Sequence, residues 1–223
     1  LISDMTDYPD SDEDYASTNK GTWENGTWVY DENTERLLIK GSGVLSSTFK
    51  NANGTEISIV NYLSGKELNN IVICEGITGV ADDVFYSENG VDTVNISLPS
   101  TLTSIGSSAF RNIKATGIRV NGSLDYIGSN AFYGSGITKI DLSKSVLTKI
   151  EKYAFANCKS LTTVILPNTV KEIREGAFYS SGLTKIQLPE SVVNLGKKAF
   201  SNCLSLVKIT IENNGITIYA DSQ

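Results

Sequence analysis

From residue 68 to residue 211 the chain repeats one pattern of apolar and polar positions. Its first half places apolar residues two apart around a variable one, as in Val164-Ile165-Leu166. That two-residue period predicts a strand with one buried face. The clearest copies run over 161–166 and 183–188, with close matches at 68–73, 137–142 and 206–211 and looser ones at 93–98 and 115–120. Pro99, Pro167 and Pro189 follow three of them and end the pairing, because proline has no N–H to donate. The second half closes on a small residue and a phenylalanine, Val84-Phe85 in the first copy and Ala-Phe thereafter. The phenylalanines stand at 85, 110, 132, 155, 178 and 200, spaced 25, 22, 23, 23 and 22 residues apart. The segment before each is too short for a full helix and predicts an extended stretch followed by a single helical turn.

One such unit cannot bury both its strand face and its phenylalanine, whereas stacked units can. Consecutive strands would then pair in parallel at about 4.8 Å. The phenylalanines would form a spine on the opposite side, with each preceding alanine at a point of close approach between coils.

The repeated line L-xx-I-x-L-P, then V-xx-I-G-xx-A-F-xx-C, resembles the BspA-type leucine-rich repeat over residues 68–211. The stretch Gly21–Gly43 is similar to the segment that leads into such arrays. The resemblance implies an α/β repeat fold: a right-handed leucine-rich-repeat solenoid with a parallel β-sheet and short helical turns. It also implies a bacterial or protozoan surface protein that adheres to host matrix proteins or to other microbes. Ile113 and Glu88 depart from the pattern where it expects Cys or Ser, and no Ala-Phe follows Ile211.

Three regions follow: an acidic tether over 1–20, an N-terminal cap region over 21–66 and the solenoid over 67–223. In the cap region, 27–30 and 37–40 alternate apolar and polar residues around the turn-rich 31–35, which predicts a hairpin closing the solenoid's first coil. Trp23 and Trp28 both fall here and are expected to plug that coil rather than to form a ligand-stacking platform. Residues 55–70 predict a short helix or irregular bridge, and 216–219 a final short strand. The chain starts at Leu1 rather than Met, as removal of a leading segment or an arbitrary cut would leave it.

Charge and composition narrow the chemistry. Residues 1–19 carry six acids and no base; with 25 acids and 19 bases in the chain, 19 of each remain in the body. A neutral body gives no electrostatic reason to expect nucleic acid or anionic lipid. No apolar run approaches the roughly 18 residues of a spanning helix. The chain has no histidine, which removes Ser-His-Asp and Cys-His catalysis and imidazole metal sites. Asp10, Asp12 and Asp14 have the spacing that opens a calcium loop. Tyr15 and Gly21 stand where that loop needs Gly and Glu, so the run reads as solvated charge. The sequons at Asn25, Asn53, Asn95 and Asn121 carry little weight in a bacterial protein. Cys158 and Cys203 occupy equivalent places three residues after Phe155 and Phe200, two coils and about 10 Å apart. A disulfide needs Cα atoms within about 7 Å, so these two and Cys74 are expected as free, mostly buried thiols.

The outward strand positions are the expected binding face. They are Asn70/Val72, Asn95/Ser97, Gly117/Arg119, Lys139/Asp141, Thr163/Ile165, Lys185/Gln187 and Lys208/Thr210. Arg119, Lys139, Lys185 and Lys208 place four cations there. The expected function is a monomeric, non-enzymatic, cofactor-free binding module at the bacterial surface or outside the cell. It engages a protein, such as host matrix or another cell surface, with a glycan as a lesser possibility and without nucleic acid or membrane insertion. The alternative is a spacer that presents other domains of a larger surface protein.

Overall fold

The structure, a computed structural model, describes residues 19–211 and the short strand at 217–218. Most of the acidic 1–20 segment therefore lies outside the described residues. The chain is a β-solenoid of about six turns with very little helix. It opens with β1 (Lys20–Trp23), β2 (Gly26–Asp31), β3 (Arg36–Gly41), β4 (Gly43–Leu45), β5 (Phe49–Asn51), β6 (Glu56–Ile57) and helix α1 (Ile59–Leu63). The coils follow, each with two strands, the second shorter in every coil after the first: β7 (Asn70–Ile73) and β8 (Ile77–Val80), β9 (Asn95–Leu98) and β10 (Ser104–Ile105), β11 (Gly117–Val120) and β12 (Tyr126–Ile127). The series continues with β13 (Lys139–Asp141) and β14 (Lys149–Ile150), β15 (Thr163–Ile165) and β16 (Glu172–Ile173), β17 (Lys185–Leu188) and β18 (Asn194–Leu195). It ends with β19 (Lys208–Ile211) and β20 (Thr217–Ile218).

The longer strands pair in parallel and in repeat register: Ile71 with Ile96, Ile96 with Ile118, Ile140 with Val164, Ile186 with Ile209. The two-residue period is visible in burial: Ile186 and Leu188 are buried while Lys185 and Gln187 are exposed. The ladder is not continuous. It runs β6-β5-β1-β2-β3-β7-β9-β11, then β13-β15, then β17-β19-β20. The shorter strands form a second parallel ladder, β4-β8-β10-β12 and β14-β16-β18.

The hairpin expected near the N-terminus is β2–β3, antiparallel from Gly26↔Gly41 to Asp31↔Arg36. Its second strand pairs in parallel with the first repeat strand, β7, so the sheet passes from region 21–66 into the coils without a break. One apolar cluster extends likewise from Trp23 to Leu206. The bridge expected over 55–70 contains α1, and β20 pairs antiparallel with β19.

The six phenylalanines stack as expected, with centroids 5.3–5.5 Å apart and rings within 11° of parallel. The turns that carry them are not helical. The residue two before each Phe is left-handed: Asp83, Ser108, Asn130, Tyr153, Gly176 and Lys198, with φ between 54° and 60°. From the second coil onward the residue two after is left-handed too: Asn112, Gly134, Asn157, Ser180 and Asn202, φ 56–67°. A right-handed helical turn cannot contain such residues. The reversal instead turns every second N–H toward the next coil. Tyr153, Phe155 and Asn157 donate to the carbonyls of Glu175, Ala177 and Tyr179 at 3.1, 2.9 and 2.7 Å. A third ladder of backbone bonds thus runs along the spine, and α1 is the one helix among the described residues.

Candidate functional site

Alternation along each strand sends the residues between core positions outward, so parallel register lines them up in two columns. The first column contains Lys139 beside Thr163, and Lys185 beside Lys208. The second contains Ser97 beside Arg119, Asp141 beside Ile165, and Gln187 beside Thr210. Lys139, Asp141, Ile165, Lys185, Gln187 and Lys208 are exposed; Arg119, Thr163 and Thr210 are half-buried. Ser97, read from sequence as outward, is in fact buried at 8% exposure. Ile165 exposes 38% of its surface, an apolar side chain among polar neighbours.

A groove of about 740 Å³ lies over the interruption of the ladder between β15 and β17. It brings together Thr163, Ile165, Lys185, Gln187, Lys208 and Thr210. Arg119, Lys139 and Asp141, also predicted for this face, do not line it. The groove extends past the strand ends onto Ser143, Ser145, Pro167, Asn168, Thr169 and Pro189. Sequence reading missed these because they lie beyond the alternating segment, in connections whose direction a two-residue period does not set. The prolines were the available signal, since each marks where its strand leaves the sheet.

The electrostatics of the face are uneven. Among the described residues, Lys185 and Lys208 form no ion pair. Asp141 is held below the usual carboxylate range by hydrogen bonds from Ser143, its hydroxyl first and then its N–H at 2.9 Å; Lys139 and Lys144 nearby add to this. Asp141 is thus firmly anionic and offsets the charge of Lys139. The net positive part of the face lies over β17 and β19. Ser145, on the groove wall, is 4% exposed, and its hydroxyl finds no partner among the described residues. A buried hydroxyl without a partner carries a desolvation cost of about 1–3 kcal/mol.

The two tryptophans do not form an open platform. Trp23 and Trp28 are 4% and 1% exposed, and their indole N–H groups donate to the carbonyls of Lys40 and Lys50 at 3.0 and 3.1 Å. A smaller cavity of about 470 Å³ adjoins Trp28, lined by Gly21, Thr22 and Asn51 among others. Cys74, Cys158 and Cys203 are free thiols, Cys158 fully buried and the others partly so. Cys158 and Cys203 each donate to a carbonyl in the preceding coil, Phe132 and Phe178, at 3.0 Å. Among the described residues no three His, Cys, Asp or Glu side chains converge as metal ligands, and no helix is long and apolar enough to cross a membrane.

The BspA type leucine rich repeat region matches in six copies over residues 55–147 and 125–222. A leucine rich cell surface protein from Faecalibacterium prausnitzii A2-165 is similar in structure, with TM-score 0.59 at 20% identity. The match covers 92% of this chain and 59% of that one, so the chain spans less than two thirds of that protein's length. Leucine-rich-repeat proteins of T. pallidum (21% identity, TM-score 0.43, 83% and 68% of the two chains) and Bacteroides ovatus (19%, 0.42, 87% and 66%) also match. No curated protein matches the sequence.

Proposed function

The chain belongs to the BspA-type leucine-rich-repeat family, and from that premise we propose that it is a binding module of the bacterial surface or extracellular space, adhesin-like, holding a protein partner on its strand face. The groove over β15 and β17 carries this reading. It is a concavity on a rigid sheet, with exposed side chains held at coil spacing, and a preorganised surface loses little ordering entropy on contact. The chemistry of the face suits binding: hydroxyls, an amide and cations held at regular spacing. The coils are right-handed in this reading. β1 to β6 and α1 act as the N-terminal cap, covering the apolar edge that a first coil would otherwise leave open.

The test is an array of immobilised host matrix proteins and microbial surface polysaccharides, probed with the whole chain and with a variant carrying Thr163→Trp and Gln187→Trp. These substitutions add neutral bulk on outward positions and should change stability by less than about 1 kcal/mol. The expected result is capture by at least one protein spot, and loss of that capture in the variant. Equal capture of both proteins would overturn the placement on the strand face.

A further inference from the structure

The groove is asymmetric in a way that selects among proteins. Its β17–β19 side presents Lys185 and Lys208 in register on adjacent strands, about 4.8 Å apart by strand spacing. Its β15 side is apolar and neutral, with Ile165, Pro167 and Thr169, and the end of β17 adds Gln187 and Pro189. Asp141 stands just beyond, on the side away from the lysines, and is held anionic by Ser143. A ligand with negative charge along its whole length would meet the lysines at one end and Asp141 at the other. A ligand with mixed side chains would not.

We propose that the groove takes an extended acidic peptide segment of the partner, its carboxylates on Lys185 and Lys208 and its apolar side chains against Ile165 and the two prolines. The assignment rests on the strand-face reading above and adds the chemistry of the occupant. Charge complementarity is the first support, because these two lysines make no ion pair with a described residue. The second is Ser145, a buried hydroxyl on the groove wall with no described partner, which leaves one hydrogen bond there for an occupant to make. A uniformly sulfated polysaccharide lacks the apolar groups for Ile165 and the prolines and is repelled by Asp141.

The experiment uses the whole chain and three fluorescent probes: a decapeptide with a Glu half and a Val half (Glu-Val), its Gln-Val counterpart, and a sulfated polysaccharide. The Glu-Val peptide should bind and the other two bind more weakly. Lys185→Ser with Lys208→Ser should weaken Glu-Val binding roughly five- to tenfold, chiefly through a slower association rate and a flatter salt dependence, with the melting temperature unchanged. Lys159→Ser with Lys171→Ser, exposed positions that do not line the groove, should leave binding as it was. Ser145→Ala should weaken Glu-Val binding without destabilising the free protein.

The proposal is overturned if the Gln-Val peptide binds as tightly as Glu-Val, if the polysaccharide binds more tightly, or if the two lysine pairs behave alike. Protein capture on the array that Thr163→Trp with Gln187→Trp abolishes, together with no response to the Glu-Val peptide, would refute the acidic occupant and leave the binding face standing. Capture that ignores the tryptophan variant would remove both.

Discussion

Phe155 lies between two parallel rings, 5.4 and 5.5 Å away, and is fully buried. Phe155→Ala should cost about 3–5 kcal/mol in denaturant unfolding, since neighbours fixed by backbone bonds on both sides cannot collapse into the void. A loss below about 1 kcal/mol would contradict the stacked spine at this position. Cys158 shows a second way of fitting the turn. Its thiol donates to the Phe132 carbonyl and meets the Ser135 hydroxyl at 3.3 Å, and burial pushes its pKa up from about 9 to about 11. The folded state therefore favours the protonated thiol. That contribution is fully present below pH 9 and is lost as pH rises through about 11. Iodoacetamide at pH 9 should modify the unfolded protein at three cysteines and leave Cys158 untouched in the native one, as peptide mapping would show. Cys158 labelling at the rate of the unfolded chain would refute its burial. These roles were legible in the sequence, because a small residue, Ser or Cys, stands three places after Phe132, Phe155, Phe178 and Phe200 at the coil period. The burial of Ser145 was not, because it lies in a connection where no period indicates direction.

At the scale of the element, the turn around each Phe differs most from expectation. A short apolar segment ending in Ala-Phe reads as a helical turn, yet left-handed residues bracket it and convert it into a backbone ladder. The sequence conceals this because the residues two before Phe are of six types, Asp83, Ser108, Asn130, Tyr153, Gly176 and Lys198, and only Gly, Asn and Asp adopt that conformation readily on their own. Interlocking bonds between coils impose it on the rest. At Gly176 an added Cβ would stand 2.2 Å from the Tyr153 ring. Gly176→Ala should destabilise by roughly 3 kcal/mol, combining left-handed strain with the ring clash. In a Tyr153→Ala background only the strain of about 1–2 kcal/mol should remain, so the two substitutions should couple in a double-mutant cycle. Additive effects would show that Tyr153 does not lie over Gly176. The strand elements, by contrast, follow the two-residue period closely, because one face of each is buried and a one-residue slip would expose Ile186 and Leu188.

Across the whole molecule, each coil is held by its two neighbours, so stability should depend on position along the stack. Interior coils have the Phe ladder satisfied on both sides: Phe132 and Phe155 donate to Ala154 and Ala177 and receive rings above and below. The coil over 190–211 differs. Leu195, in the place of the buried Ile173, is 52% exposed; Leu204 and Val207 are 86% and 64% exposed. The N–H groups of Lys198, Phe200 and Asn202, which in earlier coils would donate forward, find no acceptor among the described residues. A solenoid with nearest-neighbour coupling opens from the end that lacks a neighbour. Hydrogen exchange followed by mass spectrometry should therefore show strongest protection over peptides spanning Phe132 and Phe155, with protection falling through Phe178 to Phe200. The N-terminal side should not show the matching decline, because β3 continues the sheet onto β7 and Trp28, Leu37 and Phe49 extend the core under it. Protection at Phe200 equal to that at Phe155 would mean that something covers the last coil as a further coil would. An equal decline at both ends would mean that β1 to β6 pack on the first coil without sharing its cooperativity.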